Sequence, residues 1–247
     1  MNNPAIIIQA RTGSSRLPKK VLKKIFTQPM LYYVIRRCQQ SKKCNDVIVA
    51  TTTKKRDAPI VKIATSLTAK SYRGEENDTL KRYFDTATSF NVDPVVRITG
   101  DCPLIDPVII DELLDVYRID NDLDYLTNNV SNTGYPRGFD CEVISLQALK
   151  KAFEETEPEE KYYREHVTSY IANHPDIFNN KVIEPPNALK RPDLRLCVDE
   201  IEDFQLIQKI YSFFYPREFF SLSEIIAYLD KYPEIARLNC HVQQRNT

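Results

Sequence analysis

The chain has no C-x-x-C pair, no long apolar run and no excess charge of either sign. Six cysteines, at 38, 44, 102, 141, 197 and 240, do not have the spacing of a zinc site. We read them as reduced thiols, small buried hydrophobes rather than nucleophiles. The 34 basic and 34 acidic residues cancel, so no generally basic surface for nucleic acid is indicated, and at most a local basic patch. No segment joins a basic stretch to an apolar core and a small-residue cleavage site, and no apolar run approaches a membrane span. A cytoplasmic protein without membrane or nucleic-acid partners is therefore expected. The chain also lacks a Walker A loop, G-x-G-x-x-G, G-x-S-x-G and a Ser-His-Asp order, so nothing suggests a covalent enzyme intermediate. Internal repeats and low-complexity tracts are absent as well.

What is present is ordinary for a globular α/β protein. Of 247 residues, 42% are hydrophobic and 28% charged. That length suits one large domain burying about three quarters of its unfolded surface. Short apolar runs alternate with longer amphipathic ones, which predicts βαβ units and a mainly parallel sheet. Strands are expected at 5–9, 46–51, 95–98, 125–128 and 142–145, with weaker signals at 181–184 and 194–197. Helices are expected at 30–40, 60–67, 79–90, 107–119, 146–156, 160–173, 202–215 and 221–231. Pro107 suits a first-turn proline with Asp106 as N-cap. Segments 128–137 and 185–192 read as loops over one face of the sheet. We expect a single domain over 1–247, with the helices of 202–238 packing back on it and 239–247 as a disordered polar tail. The aromatics Tyr211, Phe213, Phe214, Tyr215, Phe219 and Phe220 suit core packing, or else an interface.

Chemistry concentrates first in Ile6-Ile7-Ile8-Gln9-Ala10-Arg11-Thr12-Gly13-Ser14-Ser15-Arg16-Leu17-Pro18-Lys19-Lys20-Val21-Leu22. An apolar run rich in β-branched residues reads as a buried strand, and it ends in a loop suited to a triphosphate. Gly13, Ser14 and Ser15 let backbone N–H groups approach phosphate oxygens. Arg11 and Arg16 can fork onto those oxygens, while Lys19 or Lys20 adds a point charge. A second strand, Val95-Val96-Arg97-Ile98, runs into Thr99-Gly100-Asp101. Ligands of open parallel sheets bind beyond the carboxyl ends of strands, and a carboxylate there suits Mg²⁺. A turn or N-cap aspartate is the competing reading.

The match Q-A-R-x-x-S-x-R-L-P-x-K-V-L resembles the N-terminal signature of the sugar-activating cytidylyltransferases, including their SpsF-like spore-coat-polysaccharide branch. The resemblance spans roughly residues 5 to 210. It implies a three-layer α/β/α, Rossmann-like fold of the nucleotide-diphospho-sugar transferase type. It further implies transfer of a nucleotide from CTP to an acidic, nonulosonate-like sugar, with Mg²⁺ required and a homodimer expected. Ala10, Arg11, Gly13, Ser14, Ser15, Arg16, Lys20 and Thr99 would hold the nucleotide. Thr99-Gly100-Asp101-Cys102-Pro103-Leu104 fits T-x-D-x-P-L, and Arg195-Leu196-Cys197-Val198-Asp199 is similar to R-x-x-V-D. By that likeness Asp101 and Asp199 would hold the metal, with Arg11 and Lys20 as further catalytic groups. Glu202 and Asp203 read more simply as acids favourable to a helix start.

Two further stretches share the resemblance. Thr52 lies where the family places the base and ribose. Arg73-Gly74-x-x-x-Asp78-x-Leu80-x-Arg82 matches R-G-x-x-x-D-x-L-x-R, placing Arg73 and Gly74 at the base. Asp78 would cap the next helix, and Arg82 pairs with Asp78 or reaches the base. On the acceptor side, Pro136-Arg137-Gly138-Phe139-Asp140-Cys141-Glu142 and Arg164-Glu165-His166-Val167-Thr168 resemble the SpsF-like branch. Asp140 and Glu142, on one strand face, suit sugar hydroxyls or an amine, and Arg137 a carboxylate. Arg164 and His166 cannot share a helical face, so one serves the acceptor and the other the structure. The chain departs from the family by placing Lys19 where L-P-G-K has glycine. The alternatives are a guanylyltransferase using GTP, or a GT-A-type glycosyltransferase using a ready-made nucleotide sugar. Against the latter, Asp101-Cys102-Pro103 lacks a D-x-D pair. A non-catalytic nucleotide-binding protein is the third.

Overall fold

Alternation along the strands decides the architecture. In β1 (Ala5–Gln9), Ile6 and Ile8 face one apolar cluster while Ala5 and Ile7 face another, all four fully buried. The same split recurs in β4 (Asp46–Thr52), with Val47 and Val49 on one side and Ile48 and Ala50 on the other. A sheet buried on both faces needs helices on both, which is the three-layer arrangement found. The protein is described from a computed structural model covering residues 3–120, 122–129 and 134–244.

Between β1 and β4 lie a short hairpin, β2 (Lys24–Ile25) and β3 (Gln28–Pro29), and α1 (Met30–Cys38). After β4 come α2 (Ala58–Ser66), β5 (Lys70–Gly74), α3 (Thr79–Ser89), β6 (Val95–Thr99) and α4 (Pro107–Ile119). The chain continues with β7 (Tyr125–Thr127), β8 (Glu142–Ile144), α5 (Leu146–Glu155), α6 (Lys161–Glu165), α7 (Ser169–Asn173) and β9 (Asn180–Val182). It closes with α8 (Ile201–Phe214), α9 (Leu222–Lys231) and α10 (Pro233–Ala236).

The seven-stranded sheet has the order β5-β4-β1-β6-β8-β7-β9, and only β8 runs against its neighbours. The chain steps outward from β1 to β4 and β5 on one side and to β6 on the other. The carboxyl end of β1 is therefore a topological switch point, the place where such sheets bind ligands. Gln9 registers with Ala50 on one side and Thr99 on the other, so the loops after β1 and β6 leave the sheet side by side.

Most expected elements form within one or two residues of the predicted ends. Pro107 opens α4, and Asp106 caps it by accepting from Val108 N at 3.0 Å. The differences have physical causes. Strand β5 escapes apolar patterning because Lys-Ser-Tyr-Arg-Gly is a half-exposed edge strand. The segment 194–197 is not a strand. Arg195 makes one isolated bridge to Arg137, through Arg137 N to Leu194 O and Leu196 N to Arg137 O, and Leu194 N turns back to Arg191 O. The helix expected over 160–173 breaks into α6 and α7 at His166–Thr168, where Thr168 turns inward to donate to the buried Glu142 at 2.8 Å. The tail is ordered through residue 244: buried Asn239 donates to Arg195 O at 2.9 Å and Asp203 Oδ1 at 2.7 Å. The remainder, 245–247, lies outside the described residues, as do 130–133 of the loop at 128–137. Tyr211, Phe214 and Phe220 are core residues, whereas Phe213, Tyr215 and Phe219 are exposed. Among the described residues no helix is long and apolar enough to cross a membrane.

Candidate active site

A cavity of about 490 Å³ opens at the switch point. Its lining brings together Ala10, Arg11, Ser14, Ser15, Arg16 and Lys20 of the first loop, Thr99 and Asp101 after β6, and Asp199 before α8. Lys20 and Asp199, separated by 179 residues, meet because their segments converge at the carboxyl ends of the sheet.

Lys20 is the centre of this constellation. Its ammonium donates to Asp101 Oδ2 at 2.7 Å, Asp199 Oδ1 at 2.8 Å and Val198 O at 2.9 Å, which uses all three of its hydrogens. Burial works against the charged amine, but the two carboxylates outweigh it and raise the lysine's pKa above its ordinary value. Burial likewise opposes ionisation of Asp101. The Lys20 charge and hydrogen bond, with help from Thr99 Oγ1 at 2.5 Å, hold its pKa down to about 2. Asp199 draws in Arg16 Nη2 at 2.9 Å and Arg195 Nη2 at 2.5 Å as well. Asp203 caps α8 by accepting from the backbone N–H of Asp199 and Glu200, each at 2.9 Å, which fixes the loop carrying Asp199.

The first loop is anchored by a residue that sequence motifs did not single out. Buried Asp57 accepts from Thr12 N at 2.8 Å, from Thr12 Oγ1 at 2.5 Å and from the hydroxyl of Thr52. Thr52 is thereby spent on the scaffold and does not line the cavity. Lys19 adopts φ 56°, the left-handed region in which glycine is the easy residue. This is where the related L-P-G-K loops carry glycine.

Other expected residues fall elsewhere. Arg73 donates to Thr52 O at 3.0 Å and Lys54 O at 3.1 Å, and neither it, Gly74 nor Gly13 lines the cavity. Gly13 sits instead against the Arg56–Glu76 ion pair. Asp78 caps α3 through Lys81 N at 2.8 Å and pairs with Arg164. Arg82 does reach the cavity, with its Nη1 on Glu75 O and its buried Nε without an acceptor among the described residues. Arg164 is a structural tie: it is buried, stacks on Phe153, and donates to Asp78, Phe153 O, Thr156 O and Glu157 O. His166 faces the cavity, and burial lowers its pKa below the ordinary histidine value.

Arg137, Asp140 and Glu142 all line the cavity. They are brought there by Gly138, whose φ of 105° and approach to the 196–197 backbone leave no room for a side chain: a Cβ would lie 2.5 Å from Leu196 C. Asp140 precedes β8 and takes one hydrogen bond, from Gly138 N at 3.2 Å, with no cation paired to it among the described residues. Burial raises its pKa, partly offset by that N–H and by Arg137. Glu142 is committed to the protein: one oxygen meets Arg97, and the other accepts from Tyr125 Oη at 2.5 Å and Thr168 Oγ1 at 2.8 Å. Arg97, Thr79, Asn129 and Gln244 also line the cavity without having been singled out, and Gln9 and Glu165 line it although their motifs gave them no role. Of the first four, Arg97 carried a signal, as a charge inside an otherwise apolar strand.

Such a sheet, with a cationic loop facing two aspartates at its switch point, is the architecture of a nucleotidyltransferase. A cytidylyltransferase structure from Leptospira borgpetersenii matches with TM-score 0.90 and 31% identity over 100% of both chains. The structure of a CMP:2-keto-3-deoxy-manno-octonic acid synthetase complexed with CTP shares the fold, with TM-score 0.66 and 19% identity over 85% of this chain and 99% of that one. The chain belongs to the cytidylyltransferase family, whose profile matches residues 5–244. It is 41% identical to the uncharacterized protein MJ1063 of Methanocaldococcus jannaschii, over 97% of this chain and 96% of the relative. It is 31% identical to the spore coat polysaccharide biosynthesis protein SpsF of Bacillus subtilis, over 96% and 98% respectively.

Proposed function

We propose that the protein uses CTP and Mg²⁺ to activate an acidic sugar for surface polysaccharide or glycan synthesis, releasing pyrophosphate. The observation that carries this reading is the convergence of Asp101 and Asp199 on the one ammonium of Lys20, beside Arg16.

In the reaction a sugar hydroxyl oxygen attacks the α-phosphorus. The new P–O bond forms as the bond to the β-phosphate bridging oxygen breaks, and pyrophosphate departs with that electron pair. Arg11, Arg16 and Lys20 bind the β- and γ-phosphates and neutralise the leaving group, while Ser14 and Ser15 offer donors. The donor chemistry fits Mg²⁺: two carboxylates already aim at one cationic centre. Among the described residues no group of three metal-binding side chains occurs. Asp101 and Asp199 would hold the ion, and it would supply charge stabilisation at the phosphates. Lys20, whose ammonium lies between these carboxylates, would contribute its charge to the phosphate oxygens. Asp140 and His166 face the acceptor. Asp140 is the carboxylate placed to take the hydroxyl proton, because no cation is paired with it among the described residues.

A panel of CTP, GTP, UTP and ATP with and without Mg²⁺, read by thermal shift, tests the nucleotide. Ligand at a hundred times its Kd adds about 2.7 kcal/mol. Magnesium-dependent stabilisation by CTP is expected. Stabilisation by GTP alone changes the nucleotide, and stabilisation only by nucleoside-diphosphate sugars would replace the transferase reading with the glycosyltransferase one. A homodimer belongs to the same proposal, with exposed Phe213, Tyr215 and Phe219 offering apolar surface, and sedimentation velocity measures it.

A further inference from the structure

Arg97 sits inside β6 among Val95, Val96 and Ile98, on the sheet face that also carries Thr99. It lines the cavity one pleat repeat, roughly 7 Å along the strand, below Thr99. Its register partner on β8 is Glu142, and the two form an ion pair with side-chain exposures of 15% and 7%. A cross-strand pair of this kind is ordinarily structural. Two features set this one apart. Glu142 gives only one oxygen to the arginine, because Tyr125 and Thr168 take the other. The guanidinium is left under-used: Nη1 alone has an acceptor among the described residues, and Nε is buried without one.

An arginine held from behind by a saturated carboxylate, with unfilled donors in a cavity, is a preorganised anion receptor. Burying an unpaired donor costs free energy that a ligand oxygen would recover. One pleat repeat further along the same sheet face, on β1 across from Thr99, the amide oxygen of Gln9 is buried without a donor among the described residues, and Gln9 also lines the cavity. Together the two ask for one ligand bearing an anion and a hydroxyl.

We propose that Arg97 receives the carboxylate of the acceptor sugar, with Gln9 accepting from a neighbouring hydroxyl and Glu142 acting as the positioning residue for Arg97. This rests on the reading of the acceptor as an acidic sugar. It assigns the anion to Arg97 rather than to Arg137, which belongs to a loop and whose charge lies beside Asp140. Arg164 has no part in it, being spent on the scaffold.

The test compares wild type, Arg97→Lys, the double variant Arg97→Met/Glu142→Gln and Arg137→Met. The double variant removes the pair without leaving a buried charge unmatched. Three probes are titrated by calorimetry into each protein with CMP and Mg²⁺ present: 3-deoxy-manno-octulosonate, its methyl ester and pyruvate. The Kd for CTP–Mg²⁺ serves as the control for an intact fold. We expect wild type to prefer the acid over the ester. The double variant should lose about thirtyfold in affinity for the acids and lose that preference, with CTP affinity unchanged. Arg97→Lys should recover part of the loss, and Arg137→Met should change the preference less than threefold. If the double variant keeps the preference, or Arg137→Met abolishes it, Arg97 is not the receptor although the acceptor is still acidic. If wild type binds the ester as well as the acid, or binds none of the carboxylates, the acidic-acceptor reading falls and this assignment with it.

Discussion

At the loop end of the cavity, Asp101 and Asp199 share Lys20, and Arg16 and Arg195 close on Asp199 as well. Elsewhere in the cavity and among the described residues, Asp140 has one backbone N–H, Arg97 has spare donors, and Gln9 has an unmet acceptor. The same cavity thus holds a charge-balanced region and an under-satisfied one. Balanced ion clusters preserve geometry, because removing any member strands its partners. Under-satisfied polar groups store binding capacity at some cost in stability. The balanced group therefore fixes the geometry of the loop before any ligand binds, and the under-satisfied groups are left to be completed by a ligand.

Breaking the balanced end should cost most. Lys20→Met strands Asp101 and weakens phosphate binding. We expect kcat/KM for CTP to fall about a thousandfold and urea-unfolding stability to drop by about 3 kcal/mol. A stability change within about 0.5 kcal/mol would show that the ammonium does not hold the cluster, and the contrast would collapse. Arg164→Met should reproduce the stability loss, about 2 to 3 kcal/mol by the same denaturation, since several backbone carbonyls lose a charged donor. Its folded fraction should keep the wild-type KM for the acceptor. A raised acceptor KM would move Arg164 back into the site.

At Asp140 the expected sign is reversed. Asp140→Asn should slow turnover about a hundredfold yet stabilise the protein at neutral pH. Because burial raises this carboxyl's folded pKa above the unfolded value of 3.8, the ionised form burdens the native state as pH climbs through that interval. The variant's gain in Tm should therefore be present at pH 7 and disappear by about pH 3.5. A gain that is the same at both pH values would mean that the charge is not its source. Smallest is Lys19→Gly at the balanced end. It relieves a left-handed backbone at φ 56°, for a net gain of about 0.5 kcal/mol after the added freedom of the unfolded chain. A loss instead would show that the Lys19 side chain contributes more than its backbone costs.

Much of this was legible beforehand for definite reasons. The strands β1, β4 and β6 are apolar runs buried on both faces, so composition alone marks them. Helices such as α4 carry their own start signals in Asp106 and Pro107. Ser14, Arg16 and Lys20 stood out because a loop of small and basic residues after a buried strand suits phosphate, whereas Asp101 and Asp199 stood out by the family resemblance. Strand β5, a polar edge, had no such mark. Arg73 and Gly74 carry a motif yet stay outside the cavity, their contacts being with the neighbouring β4 edge.

By itself, then, the sequence determined the layered α/β order, the phosphate-suited loop and the acid at the end of β6. These depend on local periodicity and on residue types read within a few positions of one another. The tertiary structure alone decided that Lys20 bridges two aspartates, that Glu142 and Arg164 serve the scaffold, and that Arg97 and Gln9 face the cavity unsatisfied. Whether a polar atom is matched depends on neighbours dozens of residues away in the chain, and only the packed sheet brings them within hydrogen-bond reach.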